Sequence, residues 1–136
     1  MSELFKTMQI SSAGMRTQGT RLRVISQNLA NVNSLATEPG GKPYQRKVVT
    51  FKNQLDRALG AEKVTIADIR PDTSDFGKKF DPGHPAADAD GYVLTPNVNS
   101  IIEMSDMREA QRTYEANLNV IRSSKAMITQ TIDILR

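Results

Sequence analysis

The sequence predicts a mainly α-helical fold in which two long terminal heptad helices form a coiled-coil-like pair, with a small β-rich insert between them. Three observations carry this. Apolar residues recur at alternating spacings of three and four near both ends of the chain, loops rich in Gly and Pro bracket the middle, and β-forming residues cluster between those loops. The division this gives is an N-terminal helix in 1–35, a middle segment in 36–95 and a C-terminal helix in 96–136.

The first helix is predicted over residues 2 to about 33. Leu4, Met8, Ser11, Met15, Gln18, Leu22, Ile25, Leu29 and Val32 form a heptad seam interrupted by Ser11 and Gln18. Ser2 can cap its start, and Glu3 suits the positive end of the helix dipole. Gly14 and Gly19 each cost about 1 kcal/mol relative to Ala in a helix interior, so the helix depends on partners. Asn28, Asn31 and Asn33 cluster where it ends; Asn is a poor helix former but a good C-terminal cap with several hydrogen-bonding sites.

Pro39, Gly40, Gly41 and Pro43 mark a loop. The run Tyr44–Phe51 reads as a strand, Asn53–Leu59 as a short helix ended by Gly60, Lys63–Arg70 as a second strand and Ser74–Phe80 as a weaker third. Asp81–Gly91 is a turn-rich connector. The second long helix starts near Pro96, with Thr95 as its cap, or later at a Ser100/Glu103 capping box. Its seam is Met104, Met107, Gln111, Tyr114, Leu118, Ile121, Lys125, Ile128, Ile132 and Leu135. Polar residues on such seams need partners and fix register at a cost in stability.

Composition narrows the function. The chain has 18 basic and 15 acidic residues for a net charge of +3, and no cysteine, which rules out disulfides and thiolate metal sites. Charge is segregated: residues 1–60 carry a net +6, residues 61–97 a net −3, and the last 39 balance. Opposed halves of this kind suit head-to-tail contacts between like subunits. No face is dense enough in Lys and Arg to form a nucleic-acid track, and the aromatics are not interleaved with bases except at Tyr44, near Arg46 and Lys47. The N-terminus lacks the apolar core of a secretory signal, and no stretch approaches a membrane-spanning length.

No residue set supports catalysis. His84 is the only histidine and sits between prolines in a loop, without the second His or Cys that a zinc site or a triad needs. Asp88, Asp90 and Gly91 resemble a calcium loop only in part, since Ala86 and Asn97 fall where acidic ligands belong. Gly40-Gly41-Lys42 lacks phosphate-loop spacing. No cofactor, metal or small-molecule substrate is expected.

The segment Ser26-Gln27-Asn28-Leu29-Ala30-Asn31-Val32-Asn33-Ser34 closely resembles the N-terminal signature of bacterial flagellar rod and hook proteins. Asp81-Pro82-Gly83-His84-Pro85, Ala87-Asp88 and Gly91-Tyr92-Val93 narrow the resemblance to the proximal rod type. So do Pro96-Asn97-Val98-Asn99, Glu103-Met104 and the later Ala110, Tyr114 and Asn117. The chain departs from the pattern at 35–43, where many relatives place a threonine soon after the second Asn. The resemblance implies a structural subunit of the basal body, exported without a cleaved signal by the flagellar type III apparatus and assembled in the periplasm to transmit torque. Its implied partners are copies of itself, the other rod proteins and the membrane–rod adaptor. On that reading the subunit-packing residues are Leu22, Ile25, Asn28, Leu29, Asn31, Met104, Met107, Gln111, Tyr114, Leu118, Ile121, Ile128 and Ile132. Asn28 and Asn31 are expected to bond to backbone or seam groups where helices meet. The alternative is a cytoplasmic helical-hairpin adaptor in which the same helices close on themselves.

Overall fold

A computed structural model describes residues 2–136. The element order is α1 (Ser2–Ala30), β1 (Lys47–Asp56), β2 (Ala61–Pro71), β3 (Gly77–Phe80), β4 (Tyr92–Thr95) and α2 (Ser100–Ile134). Helix makes up 47% of the chain and strand 21%, so the β content is larger than a mainly α description implies. The strands form two separate two-stranded sheets, β1 with β2 and β3 with β4.

Several elements differ from the sequence expectation, each for a local reason. There is no helix at 53–59: β1 runs on to Asp56, because pairing with β2 outweighs local propensity. The turn that follows is organised by Asp56, whose Oδ1 accepts from the Ala58 and Leu59 amides, while Gly60 adopts a φ of 63° and donates to the Asp56 carbonyl. The short β4 was not expected. It pairs antiparallel with β3 in the register Gly77–Thr95 to Phe80–Tyr92, closing the 81–91 connector at its base. Gly91 is buried with φ 83°, and a Cβ there would lie 3.0 Å from Phe80 and 3.1 Å from Pro82, so the tight turn requires glycine.

Helix α2 begins at Ser100, not near Pro96. Asn99 is its cap: the Asn99 Oδ1 accepts from the Ile101 and Ile102 amides at 3.0 and 3.4 Å. Thr95 instead ends β4, and Glu103 is not part of a capping box.

The residues group into two compact units. The first contains α1 up to Leu22, Thr50–Asp68 and Arg108–Arg136; the second contains Arg23–Val49 and Ile69–Met107. In the first unit the Asn117 amide lies over Gly14 and Arg21 meets Glu109 at 3.3 Å, so α1 and α2 run in opposite directions there. The Thr17 hydroxyl bonds the Ala13 and Val64 carbonyls at 2.9 and 3.1 Å, fastening β2 to α1.

The inward stripe of α2 differs from the predicted seam at every second position. Met107, Tyr114, Ile121 and Ile128 are half-buried as the spacing predicted. The alternate positions are Glu103, Ala110, Asn117 and Ser124, not Met104, Gln111, Leu118 and Lys125; Glu103, Ala110 and Ser124 are buried and Asn117 half-buried. At Gly14 and Asn117 the helices approach closely through a glycine and an amide, which an apolar count misses. Met104, Gln111, Lys125, Ile132 and Leu135 are exposed; Leu118 is half-buried.

Candidate subunit-assembly site

The asparagine-rich end of α1 is the best-defined polar site. Asn28 is only 1% exposed, and all four of its side-chain hydrogen-bonding sites are filled. Its Nδ2 donates to the Lys47 carbonyl at 2.9 Å and to the Glu103 Oε2 at 3.3 Å. Its Oδ1 accepts from the Tyr44 hydroxyl at 2.8 Å and the Lys47 amide at 3.0 Å. One side chain at the end of α1 thus fixes the start of β1 and the first turn of α2.

Glu103 is fully buried, and burying a carboxylate is tolerable only with a paired cation and hydrogen bonds. Arg46 supplies the cation, donating from Nε to the Glu103 Oε1. The same guanidinium reaches Asp72 at 3.2 Å and Asp106 at 3.8 Å. The Arg46 amide donates to the Asn97 Oδ1 at 2.7 Å, while the Asn97 Nδ2 donates to the Asp72 carbonyl at 3.1 Å. Burial alone would lower the Arg46 pKa; the hydrogen bond and charge of Glu103, then those of Asp72, outweigh it and leave the pKa raised.

Asn28 bonds the backbone at Lys47 and a side chain of α2. Asn31 does not: its Nδ2 donates to the Gln27 carbonyl at 2.8 Å and its Oδ1 accepts from Ser34 at 3.0 Å. Both partners are local, so Asn31 terminates α1 and joins nothing distant. Ile25 is buried beside this region, and Leu22 and Leu29 are half-buried. Sequence reasoning missed Tyr44, Arg46 and Glu103. The available signal was Glu103 itself, a charge four residues before Met107 and seven before Ala110, on the inward stripe.

The junction predicts two pH limits for the second unit. The Ser74 amide and hydroxyl, then Arg46, hold the Asp72 carboxyl below its ordinary value. Its stabilising contribution is therefore complete above about pH 4 and is lost as pH falls through the depressed folded value. Burial, then the Glu103 charge, raises the Tyr44 pKa. That contribution is complete below about pH 10 and disappears as pH rises through the raised value. Denaturant midpoints measured across pH should fall at both ends, and Asp72→Asn should flatten the acid limb.

Among the described residues no cluster could hold a metal ion, and no helix is long and apolar enough to cross a membrane. What the site offers is a mechanical junction between distant chain segments. Residues 89–134 match the family model described as flagellar basal body rod FlgEFG protein C-terminal. The chain is 47% identical over 136 residues to the flagellar basal-body rod protein FlgC of Agrobacterium fabrum, covering 100% of this chain and 98% of that one. The chain belongs to the FlgC family of flagellar basal-body rod proteins. It is also 37% identical to the FlgC of Escherichia coli O6:H1 and 32% identical to that of Bacillus subtilis, in each case with 96% of this chain and 97% of the relative covered. The family is structural, not enzymatic, and membership makes the chain a structural subunit of the basal-body rod that assembles with other flagellar components. Residues 26–34, which resemble the N-terminal signature of rod and hook proteins, contain Asn28 of this junction.

Proposed function

We propose that the chain is a proximal-rod subunit whose terminal helices form a coiled-coil-like pair, packing against copies of itself, the other rod proteins and the membrane–rod adaptor. The axial part is 1–35 with 96–136, and 36–95 lies outside it. The subunit reaches the periplasm through the flagellar type III apparatus without a cleaved signal, and the rod passes torque through many parallel helix contacts.

The observation that carries this reading is the apolar surface α2 leaves uncovered. Val120, Met127 and Ile134 follow one another at heptad spacing and are 40%, 52% and 84% exposed. Together with Ile102 they form a second stripe, about 115° around the helix from the Tyr114–Ile121–Ile128 face at about 100° per residue. Exposed apolar surface of this extent marks an interaction face. Met104, Gln111 and Ile132, assigned above to subunit packing, are also exposed and free to meet neighbours. Leu22, Ile25, Asn28, Leu29, Asn31, Met107, Tyr114, Leu118, Ile121 and Ile128 serve packing by holding each subunit's own shape.

The test is an epitope tag in the turn near Gly60, followed through purified hook–basal-body particles. The tagged chain should be retained in the detergent- and alkali-resistant rod, and a Met127→Asp version should be lost from it. A functional tagged chain found only in the cytoplasm would favour the hairpin adaptor.

A further inference from the structure

Within the first unit, α1 and β2 leave an open groove of about 450 Å³ between them. Its α1 wall presents Ser12, Arg16 and Thr17, and its β2 wall presents Lys63, Val64 and Thr65. The two cations differ. Lys63 is neutralised by Asp56 at 2.6 Å, whereas Arg16 is exposed and has no carboxylate partner among the described residues. The groove therefore offers the Ser12 and Thr65 hydroxyls and the Gln9 amide around one uncompensated guanidinium, a donor fork suited to a carboxylate.

The second unit carries a group of complementary charge. The connector between β3 and β4 ends in Asp88-Ala89-Asp90, all three exposed. This tip is held in one conformation. The Asp88 Oδ1 accepts from the Asp90 and Tyr92 amides at 3.0 and 2.9 Å, the Asp88 amide donates to the Tyr92 carbonyl, and Gly91 closes the turn. The Asp90 carboxylate has no partner among the described residues. A preorganised acidic turn loses little conformational freedom on docking.

We infer that the groove between α1 and β2 receives the Asp88–Asp90 tip of a second copy of this chain, with Arg16 pairing to Asp90. The inference rests on the rod-subunit reading and names one contact within it. Charge segregation along the chain supports a like partner: the basic residues 1–60 supply most of the groove, and the acidic residues 61–97 supply the tip. Groove and tip are different surfaces, so the contact is head-to-tail, the type of interface that propagates into a helical assembly instead of closing a dimer.

The chain contains no cysteine, so introduced thiols report without background. Ser12→Cys and Ala89→Cys are made in separate chains, coexpressed, and hook–basal bodies are isolated after mild oxidation. A disulfide-linked dimer is expected only when both variants are present. Arg16→Asp should lower its yield about tenfold or more through like-charge opposition, and Asp90→Arg in the partner should restore it. Both chains present in the rod with no cross-link would overturn the inference while leaving the rod reading intact. Loss with Arg16→Asp that Asp90→Arg does not restore would also overturn it, placing another occupant in the groove. Absence of the single-cysteine chains from the rod, with motility retained, would instead overturn the rod reading and this inference with it.

Discussion

Replacing Glu103 with alanine is expected to destabilise the second unit by about 3 kcal/mol, toward the lower end of the range for breaking a buried ion pair. Glu103 is fully buried and bridges Arg46 and Asn28, so its removal takes the Nε partner from a guanidinium that keeps Asp72 and Asp106, and leaves one Asn28 amide donor unpaired. Arg46 keeps about a fifth of its side chain in solvent, which softens the loss. Glu103→Gln keeps the shape and an acceptor for Asn28 but removes one of the three carboxylates around Arg46, so it should fall between wild type and alanine. Urea unfolding of the three proteins checks this order. Equal midpoints would mean that the buried carboxylate contributes no net stability.

Asn28→Ala is expected to cost about 3 kcal/mol as well, because it leaves the Lys47 amide and carbonyl, the Tyr44 hydroxyl and Glu103 each short of a partner. Asn28→Asp should be at least as damaging at neutral pH. It retains acceptors for Tyr44 and the Lys47 amide, but puts a second carboxylate against Glu103 in place of an amide donor. Asn31→Ala is the natural control. Its bonds are to Gln27 and Ser34 at the end of α1, so a loss of about 1 kcal/mol or less is expected. In the rod, Asn28→Ala should lower the amount of incorporated subunit more than Asn31→Ala does.

This contrast shows what was readable in the sequence. The two helices were, because their periodicity extends over 29 and 35 residues and tolerates local exceptions. Asn28 stood out because an asparagine inside a helical pattern needs a reason. Its partners did not stand out. Tyr44 and Arg46 sit in a run that reads as a strand, and Glu103 sits where a capping box would place it. Only the fold brings residues 28, 46 and 103 together.

The α2 seam was misread for a related reason. Met104 and Leu118 attract an apolar count, while Glu103, Ala110, Asn117 and Ser124, one position earlier at each turn, line the inner face. Glycine at 14 leaves room for the Asn117 amide, and the junction selects for charge; neither registers as hydrophobicity. The 53–59 helix failed through long-range pairing, since β2 lies beyond any local window and its pairing draws Asn53–Asp56 into β1.

The central claim is that Asn28 and Glu103 act as one buried unit joining the end of α1 to the start of α2. A double-mutant cycle on Asn28→Ala and Glu103→Ala, read by urea unfolding of the full chain, tests it most directly. If the two share a network, the double variant should be more stable than the summed single losses predict, by about 1–3 kcal/mol. Strict additivity would contradict the claim and leave each residue acting through separate neighbours.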